Sequence, residues 1–140
     1  MYVDVKVEPR YAETDQMGVI YHGNYFTYFE VARTGFFKHF GYPYKLMESR
    51  GIMLPVVDVS CQYKKPILYD DDIVVRTSIA SVKGVRIKMS YEIIRTTTEE
   101  VLATGSTTHA FVDLELKPVR YKALDEALKE IIEKVCSHKE

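Results

Sequence analysis

The stretch from Arg10 to Asn24 gathers an aspartate, a histidine, two glycines and two tyrosines ahead of a long apolar run. Asp15 stands in a turn-rich segment, and His22, Gly23 and Asn24 lead into that run. If the run is a helix, its first N–H groups and the positive end of its dipole face back toward the turn. Such amides can hold a developing oxyanion. A carboxylate beside them can take a proton from water or attack a carbonyl itself. The same carboxylate also stabilises turns through Asx hydrogen bonds, so spacing alone leaves both roles open for Asp15. Other chemistry is poorly provided for. There is no P-loop, Gly-x-Gly-x-x-Gly, His-Glu-x-x-His, Cys-x-x-Cys or Gly-x-Ser-x-Gly. His22, His39, His109 and His138 lack the close spacing of metal ligands, and Cys61 and Cys136 are far apart. The expectation is therefore no metal, no cofactor and no disulfide framework.

The elements that must position these groups follow from hydrophobic period. Residues 2–8 alternate charged positions with Val3, Val5 and Val7, the pattern of a half-buried strand. Residues 10–24 read as a loop with short structured pieces. Asn24 is expected to cap a helix reaching about Phe40. Apolar residues wrap most of that helix, so it should be surrounded by protein. Thr27, Glu30 and Arg33 are spaced to line one narrow polar stripe, with Glu30 and Arg33 pairing within the helix. Gly41 and Pro43 stop it, and residues 44–50 allow one more short helical turn.

Residues 52–64, 72–82, 85–95 and 101–113 are strand-like, and turns at Lys83-Gly84 and Thr98-Glu99-Glu100 make the arrangement antiparallel. Leu124, Ala127, Leu128, Ile131, Ile132 and Val135 mark a C-terminal amphipathic helix at 122–136. The order is α+β. A curled antiparallel sheet of about five strands around one long helix leaves edges exposed, which a homodimer would cover.

Composition narrows the class. With 140 residues, one domain spanning 1–140 is expected. An apolar content of 46% is that of a folded chain, and the balance of 19 basic against 20 acidic residues is wrong for a nucleic-acid binder. No apolar run has the length of a membrane span, and residues 1–8 lack the unbroken apolar stretch of a signal peptide. A soluble, reduced, cytoplasmic protein is the expectation.

The run Arg10-Tyr11-Ala12-Glu13-Thr14-Asp15-Gln16-Met17-Gly18-Val19-Ile20-Tyr21-His22-Gly23-Asn24-Tyr25, continuing through Phe29-Glu30-Val31-Ala32-Arg33, resembles the 4-hydroxybenzoyl-CoA thioesterase family. The Asp-x-x-Gly-x-x-Tyr-His-x-Asn-Tyr stretch is most similar to its acyl-CoA thioesterase branch, associated in bacteria with the Tol-Pal envelope cluster. The resemblance implies the hotdog fold, a curled antiparallel sheet around one long buried helix. It implies hydrolysis of an acyl-CoA thioester, with dimers or dimers of dimers. It places the catalytic carboxylate on Asp15, as general base or nucleophile, and the carbonyl-polarising amide on the backbone of His22. The His22 imidazole is either a substrate or Asp15 contact or plain packing. Tyr21, Gly23, Asn24 and Tyr25 fall around the thioester pocket, where the tyrosines are walls or core and Asn24 is foremost a helix cap. Arg86 and Lys88 share the polar face of one strand, with Lys64, Lys65 and Lys83 at strand ends. They suit CoA phosphates or an ordinary solvated face. Ser106, Thr107 and Thr108 are candidates for pantetheine contacts.

Two other readings share this pocket. A hotdog dehydratase would place its acid on the helix, whereas Asp15 precedes it. A non-catalytic acyl-thioester sensor or scaffold would have no need of Asp15.

Overall fold

The computed structural model describes residues 1–136 and the backbone of residues 138–139, so the His138 side chain lies outside the described residues. Strand β1 (Val3–Val7) leads through a 3-10 turn at Tyr11–Glu13 to helix α1 (Asn24–His39) and the short helix α2 (Tyr44–Ser49). Strands β2 (Val56–Tyr63), β3 (Ile73–Lys83), β4 (Arg86–Arg95) and β5 (Glu100–Ala110) follow. After a second 3-10 turn at Tyr121–Ala123 comes helix α3 (Glu126–Val135). A two-residue strand β6, His138–Lys139, pairs in parallel with β3.

The main ladder is antiparallel in the order β1-β3-β4-β5-β2. The two hairpins expected from sequence join β3 to β4 and β4 to β5. Strand β2 crosses over to pair with β5, and β1 and β2 form the edges of that path. The α+β architecture expected from the element order is the one observed.

Strand alternation sorts the two faces. Rows such as Thr77–Tyr91–Gly105 and Ile79–Met89–Thr107 run across neighbouring strands on the buried face. The opposite face carries small polar residues in register, with Ser78, Ser90, Ser106 and Ser60 aligned across four strands. Within that row Ser78 and Ser90 are hydrogen-bonded at 2.9 Å, and Ser60 and Ser106 at 3.0 Å.

Helix α1 packs against the buried face. Tyr28, Phe29, Ala32, Phe36 and Phe37 are almost fully buried, each large side chain contributing about 1.5–3 kcal/mol of apolar burial. Phe29 stacks on Tyr91 of β4 with centroids 4.5 Å apart. Its ring leaves no room for a side chain on β5 beneath it, since a Cβ at Gly105 would come within 2.5 Å of the ring. That glycine lets the sheet close on the helix.

The expectation of an enclosed helix is corrected on one face. Thr27, Glu30, Val31 and Lys38 are exposed, while Arg33 turns into the protein, so the anticipated Thr27–Glu30–Arg33 stripe does not form. Helix α3 docks through Leu128, Ile131, Ile132 and Val135. Its cap Asp125 accepts the Leu128 N–H at 3.0 Å and the Tyr42 hydroxyl, and pairs with Arg50 at 3.2 Å. No helix among the described residues is long and apolar enough to cross a membrane.

Candidate active site

The loop between β1 and α1 is folded back on itself. Glu13 N–H donates to the Arg10 carbonyl at 2.9 Å, closing the 3-10 turn. Thr14 bridges Ile20, Asp15 N–H donates to the Val19 carbonyl at 2.8 Å, and Tyr21 N–H donates to the Glu13 carbonyl at 2.8 Å. Ile20 N–H then donates to the Ile67 carbonyl at 2.8 Å, fastening the loop to the segment before β3. The result is a small hairpin whose tip is Asp15–Val19 and whose return arm runs into α1.

Asp15 is half-buried at that tip. Its carbonyl accepts the Gly18 N–H at 3.0 Å, and its Oδ1 accepts the Met17 N–H at 2.8 Å. The turn-stabilising role is therefore real. It occupies one carboxylate oxygen; Oδ2 has no hydrogen-bond partner among the described residues and remains available for chemistry.

At the start of α1, Asn24 N–H donates to the Tyr21 carbonyl and Tyr25 N–H to the His22 carbonyl. The N–H groups of His22 and Gly23 have no hydrogen-bond partner among the described residues. Two unpaired amides at the positive end of a 16-residue helix form a donor pair suited to an anionic oxygen. Gly23 suits this place because the Tyr21 ring lies over it. A Cβ there would come 2.8 Å from Tyr21 Cε2.

The remaining residues sort clearly. Tyr21 and His22 are exposed, their rings 4.3 Å apart, so both flank open space at the helix start. Tyr25 is 3% exposed and packs edge-on against Tyr63 at 4.8 Å, making it core behind the site. Asn24 does not cap. Gly23 holds the N-cap position without a side-chain bond, and Asn24, the first helical residue, donates from Nδ2 to the Glu13 carbonyl at 3.1 Å. Its amide reaches back across the loop, where Glu13 offers a partner that the helix end does not.

Two contributors escaped sequence reasoning. Glu13 is 9% exposed, and its carboxylate accepts the Arg10 N–H at 2.8 Å and the Tyr28 hydroxyl at 2.7 Å. Burial pushes its carboxyl up, but these hydrogen bonds and the Arg10 guanidinium outweigh it and hold the group below its ordinary value. With its own carbonyl bonded to Tyr21 and Asn24, Glu13 organises the whole loop. A lone glutamate in a polar loop gives no sign of such burial. Tyr63, at the end of β2, donates its hydroxyl to the His22 carbonyl at 3.0 Å. Its place in the site follows from topology alone.

Arg86 and Lys88 are exposed and form no ion pair among the described residues. They stand at the start of β4, whereas Arg95, at its end, donates to the Pro66 carbonyl beside the site loop. At ~3.3 Å per residue, β4 separates Arg86 from that end by roughly 30 Å. One chain alone does not bring them to Asp15. Lys65 pairs instead with Glu100. Thr107 is buried, and Ser106 is engaged with Ser60.

Arg33 departs furthest from expectation. It is 7% exposed and does not pair with Glu30, which lies on the solvent side. Its Nε donates to the Tyr44 hydroxyl at 2.7 Å and its Nη1 to the Tyr91 hydroxyl at 3.4 Å. Tyr91 and Thr107 hydroxyls are 2.6 Å apart, Thr107 lies 2.8 Å from His109 Nε2, and His109 Nδ1 lies 3.1 Å from the Leu54 carbonyl. A carbonyl can only accept, so His109 Nδ1 carries a proton. Burial, and then the Arg33 charge, lower the imidazole pKa to about 4 and leave the ring neutral, so Nε2 accepts from Thr107, Thr107 accepts from Tyr91, and every bond runs from Arg33 toward Leu54.

Comparison with known proteins identifies the family. YneP of Bacillus subtilis (strain 168) is 42% identical over 125 residues, covering 87% of this chain and 89% of that protein. The acyl-CoA thioesterase YbgC of Haemophilus influenzae is 31% identical over 113 residues, covering 79% and 82%. The crystal structure of a DHNA-CoA thioesterase from Staphylococcus aureus superposes with a TM-score of 0.87 at 40% identity, covering 95% of this chain and 89% of that one. Residues 9–132 match the thioesterase-like superfamily. The chain belongs to that superfamily and has its hotdog fold.

Proposed function

We propose that this protein is an acyl-CoA thioesterase that uses Asp15 and the amides of His22 and Gly23. The observation that carries the reading is the pairing of two unsatisfied N–H groups at the α1 N-terminus with a carboxylate that keeps one oxygen free in the adjoining turn. The thioester carbonyl oxygen accepts from the amides, which strengthen as charge develops on it. Asp15 either takes a proton from water as that water attacks the carbonyl carbon, or attacks directly to give a mixed anhydride that water then cleaves. Collapse of the tetrahedral adduct breaks the C–S bond and expels CoA thiolate, leaving the free acid in the first route and the anhydride in the second. The names of the Haemophilus and Staphylococcus relatives support the thioester class.

The working unit of this reading is a homodimer or a dimer of dimers. Strand β2 is an edge of the main ladder and leaves Val56, Val57, Val59 and Tyr63 exposed. Exposed apolar edges call for a partner. Antiparallel pairing of two β2 edges sets the start of one strand beside the end of the other. It thus carries the partner's β4 start, with its Arg86 and Lys88, to the end of the sheet that holds Asp15. Those two basic residues would then meet CoA phosphates from across the interface. Sedimentation should give a dimer or larger at micromolar concentration, and a stable folded monomer would remove this part of the reading.

Thiol release from a panel of aryl, short-chain and long-chain acyl-CoAs tests the activity. Release from at least one, lost in Asp15→Asn, is expected. Absence of release from all of them would leave a binding-only protein.

A further inference from the structure

A cavity of about 310 Å³ lies beneath Arg33, walled by Met47, Ile52, Leu54 and Leu116, with Tyr44 beside the guanidinium. It sits between α2 and the start of β2, away from the site loop of the same chain. Its polar character is one-sided. Arg33 uses Nε and Nη1 on tyrosine hydroxyls, and its Nη2 has no partner among the described residues. Tyr44 accepts from Arg33, so its own hydroxyl proton is free to donate. The carbonyls on the facing wall each accept a bond from elsewhere in the fold. The Met53 carbonyl accepts the Val112 N–H, the Leu54 carbonyl accepts His109, and the Pro55 carbonyl accepts the Ala110 N–H. The one carboxylate at the lining is Glu48, exposed at the mouth. No carboxylate pairs with Arg33 among the described residues.

A buried cation is ordinarily paired or neutralised, and this one faces an apolar space with donors to spare. We propose that this cavity binds a carboxylate carried on an apolar body, its oxygens meeting Arg33 Nη2 and the Tyr44 hydroxyl while the body lies along Met47, Ile52 and Leu116. The match is chemical. A carboxylate accepts from the guanidinium fork with planar geometry and has no donor to leave unsatisfied. The volume is that of a small ligand site. Two sources supply such a molecule, and both rest on the thioesterase reading. One is the free acid released at each turnover. The other is a substrate whose acyl group ends in a second carboxylate, bound across the dimer interface, where β2 pairing sets this cavity beside the partner's catalytic loop.

Calorimetric titration with octanoate, and with 1-octanol as the neutral match in length, tests the site without turnover. Octanoate should bind and octanol should not. Arg33→Met should weaken octanoate by about ten-fold to a hundred-fold, the range of a charged hydrogen bond, with circular dichroism unchanged. Tyr44→Phe should weaken it several-fold, and it keeps the test open if Arg33→Met does not fold. Glu48→Gln should tighten it slightly. Equal binding of octanol, unchanged affinity in the Arg33 and Tyr44 variants, or no octanoate binding to the wild type would overturn the proposal.

Kinetics then separate the sources. If Arg33→Met lowers kcat/KM only for acyl-CoAs ending in a carboxylate, and not for methyl-ended ones of equal length, the substrate's far end occupies the cavity. If both are spared and added octanoate inhibits only the wild type, the released acid does. Octanoate binding by a chain that hydrolyses no thioester would retire the thioesterase reading and leave this site standing.

Discussion

The two polar regions along α1 are built on opposite principles. At its N-terminus, Asp15, His22 and Gly23 keep hydrogen-bonding capacity unspent, with an aspartate oxygen and two amides facing open space. Nine residues along the helix, Arg33 feeds a chain through Tyr91, Thr107 and His109 in which each hydroxyl and ring nitrogen is engaged and each direction is forced. The first region is suited to chemistry because it is unsatisfied. The second fixes α1 to β4, β5 and the loop before β2, and only its guanidinium edge and the Tyr44 hydroxyl proton remain open, toward a cavity. Mutations should therefore fall into two classes: loss of turnover without loss of stability, and the reverse.

The largest expected effect belongs to the first class. Asp15→Asn keeps an oxygen for the Met17 N–H, so the turn should survive, but it cannot take a proton or form an anhydride. Turnover should drop by ~10²–10⁴ for loss of a general base, and by more for loss of a nucleophile. Melting temperature should be unchanged. His22→Ala should do much less, because the amide offered to the carbonyl belongs to the backbone. Measuring kcat with thermal melts for both variants checks this. Near-normal kcat in Asp15→Asn, or a large stability loss alongside the activity loss, would break the contrast between the two regions.

The next effect is a pH dependence of stability placed in the second region. His109 titrates near 6.5 when unfolded and at about 4 in the fold. Between those values the unfolded chain binds a proton that the folded chain refuses. Stability from this group is thus full above about pH 6.5 and falls as pH drops toward 4, by about 3 kcal/mol in all. The buried Glu13 and the half-buried Asp125, whose carboxyl pKa values are lowered, lose their contributions only below the usual carboxylate range. Urea titrations between pH 8 and 5 should show a slope that His109→Gln flattens. An equal slope in both proteins would show that the imidazole is not held neutral.

Thr107→Val comes third. It leaves the Tyr91 hydroxyl without an acceptor and His109 Nε2 without a donor, at a cost of ~1–3 kcal/mol. Its kcat should stay within a few-fold of wild type at temperatures where it is folded. A loss of turnover as deep as that of Asp15→Asn would mean that the buried chain takes part in chemistry.

The contrast also explains what could be read from the sequence. The candidate site loop is nearly contiguous, so Asp15, Tyr21, His22 and Gly23 were legible as one group, and the 3.6 and 2.0 periods located α1, α3 and the strands to within a few residues. The Arg33 chain joins residues 33, 44, 91, 107, 109 and 54, which topology alone brings together. Periodicity placed Arg33 with Thr27 and Glu30 because i, i+3 spacing cannot show that a cation will find hydroxyls on β4 and α2. Tyr63 was illegible for the same reason. Its place beside His22 depends on β2 crossing to the sheet edge beside β5, which no local signal encodes. Glu13 lay within the recognised motif, but its burial depends on Tyr28 approaching from the helix.

The smallest effect decides what Asn24 does. Asparagine and serine are equally good helix caps. If Asn24 capped α1, Asn24→Ser would keep its stability and only Asn24→Ala would lose it. In the structure Gly23 occupies the cap position and the Asn24 amide spans to the Glu13 carbonyl, a reach that serine is too short to make. Both variants should therefore lose a similar ~0.5–1.5 kcal/mol, the worth of one partly buried hydrogen bond. The same bond holds the helix start against the loop that carries Asp15. Each variant should thus also lower kcat several-fold, well short of Asp15→Asn, by loosening the amides relative to the carboxylate. Chemical denaturation and kcat for the two variants together give the answer. A serine variant as stable as wild type would restore Asn24 as a cap. A stability loss with kcat unchanged would show that the helix start and the Asp15 turn keep their register without this tie.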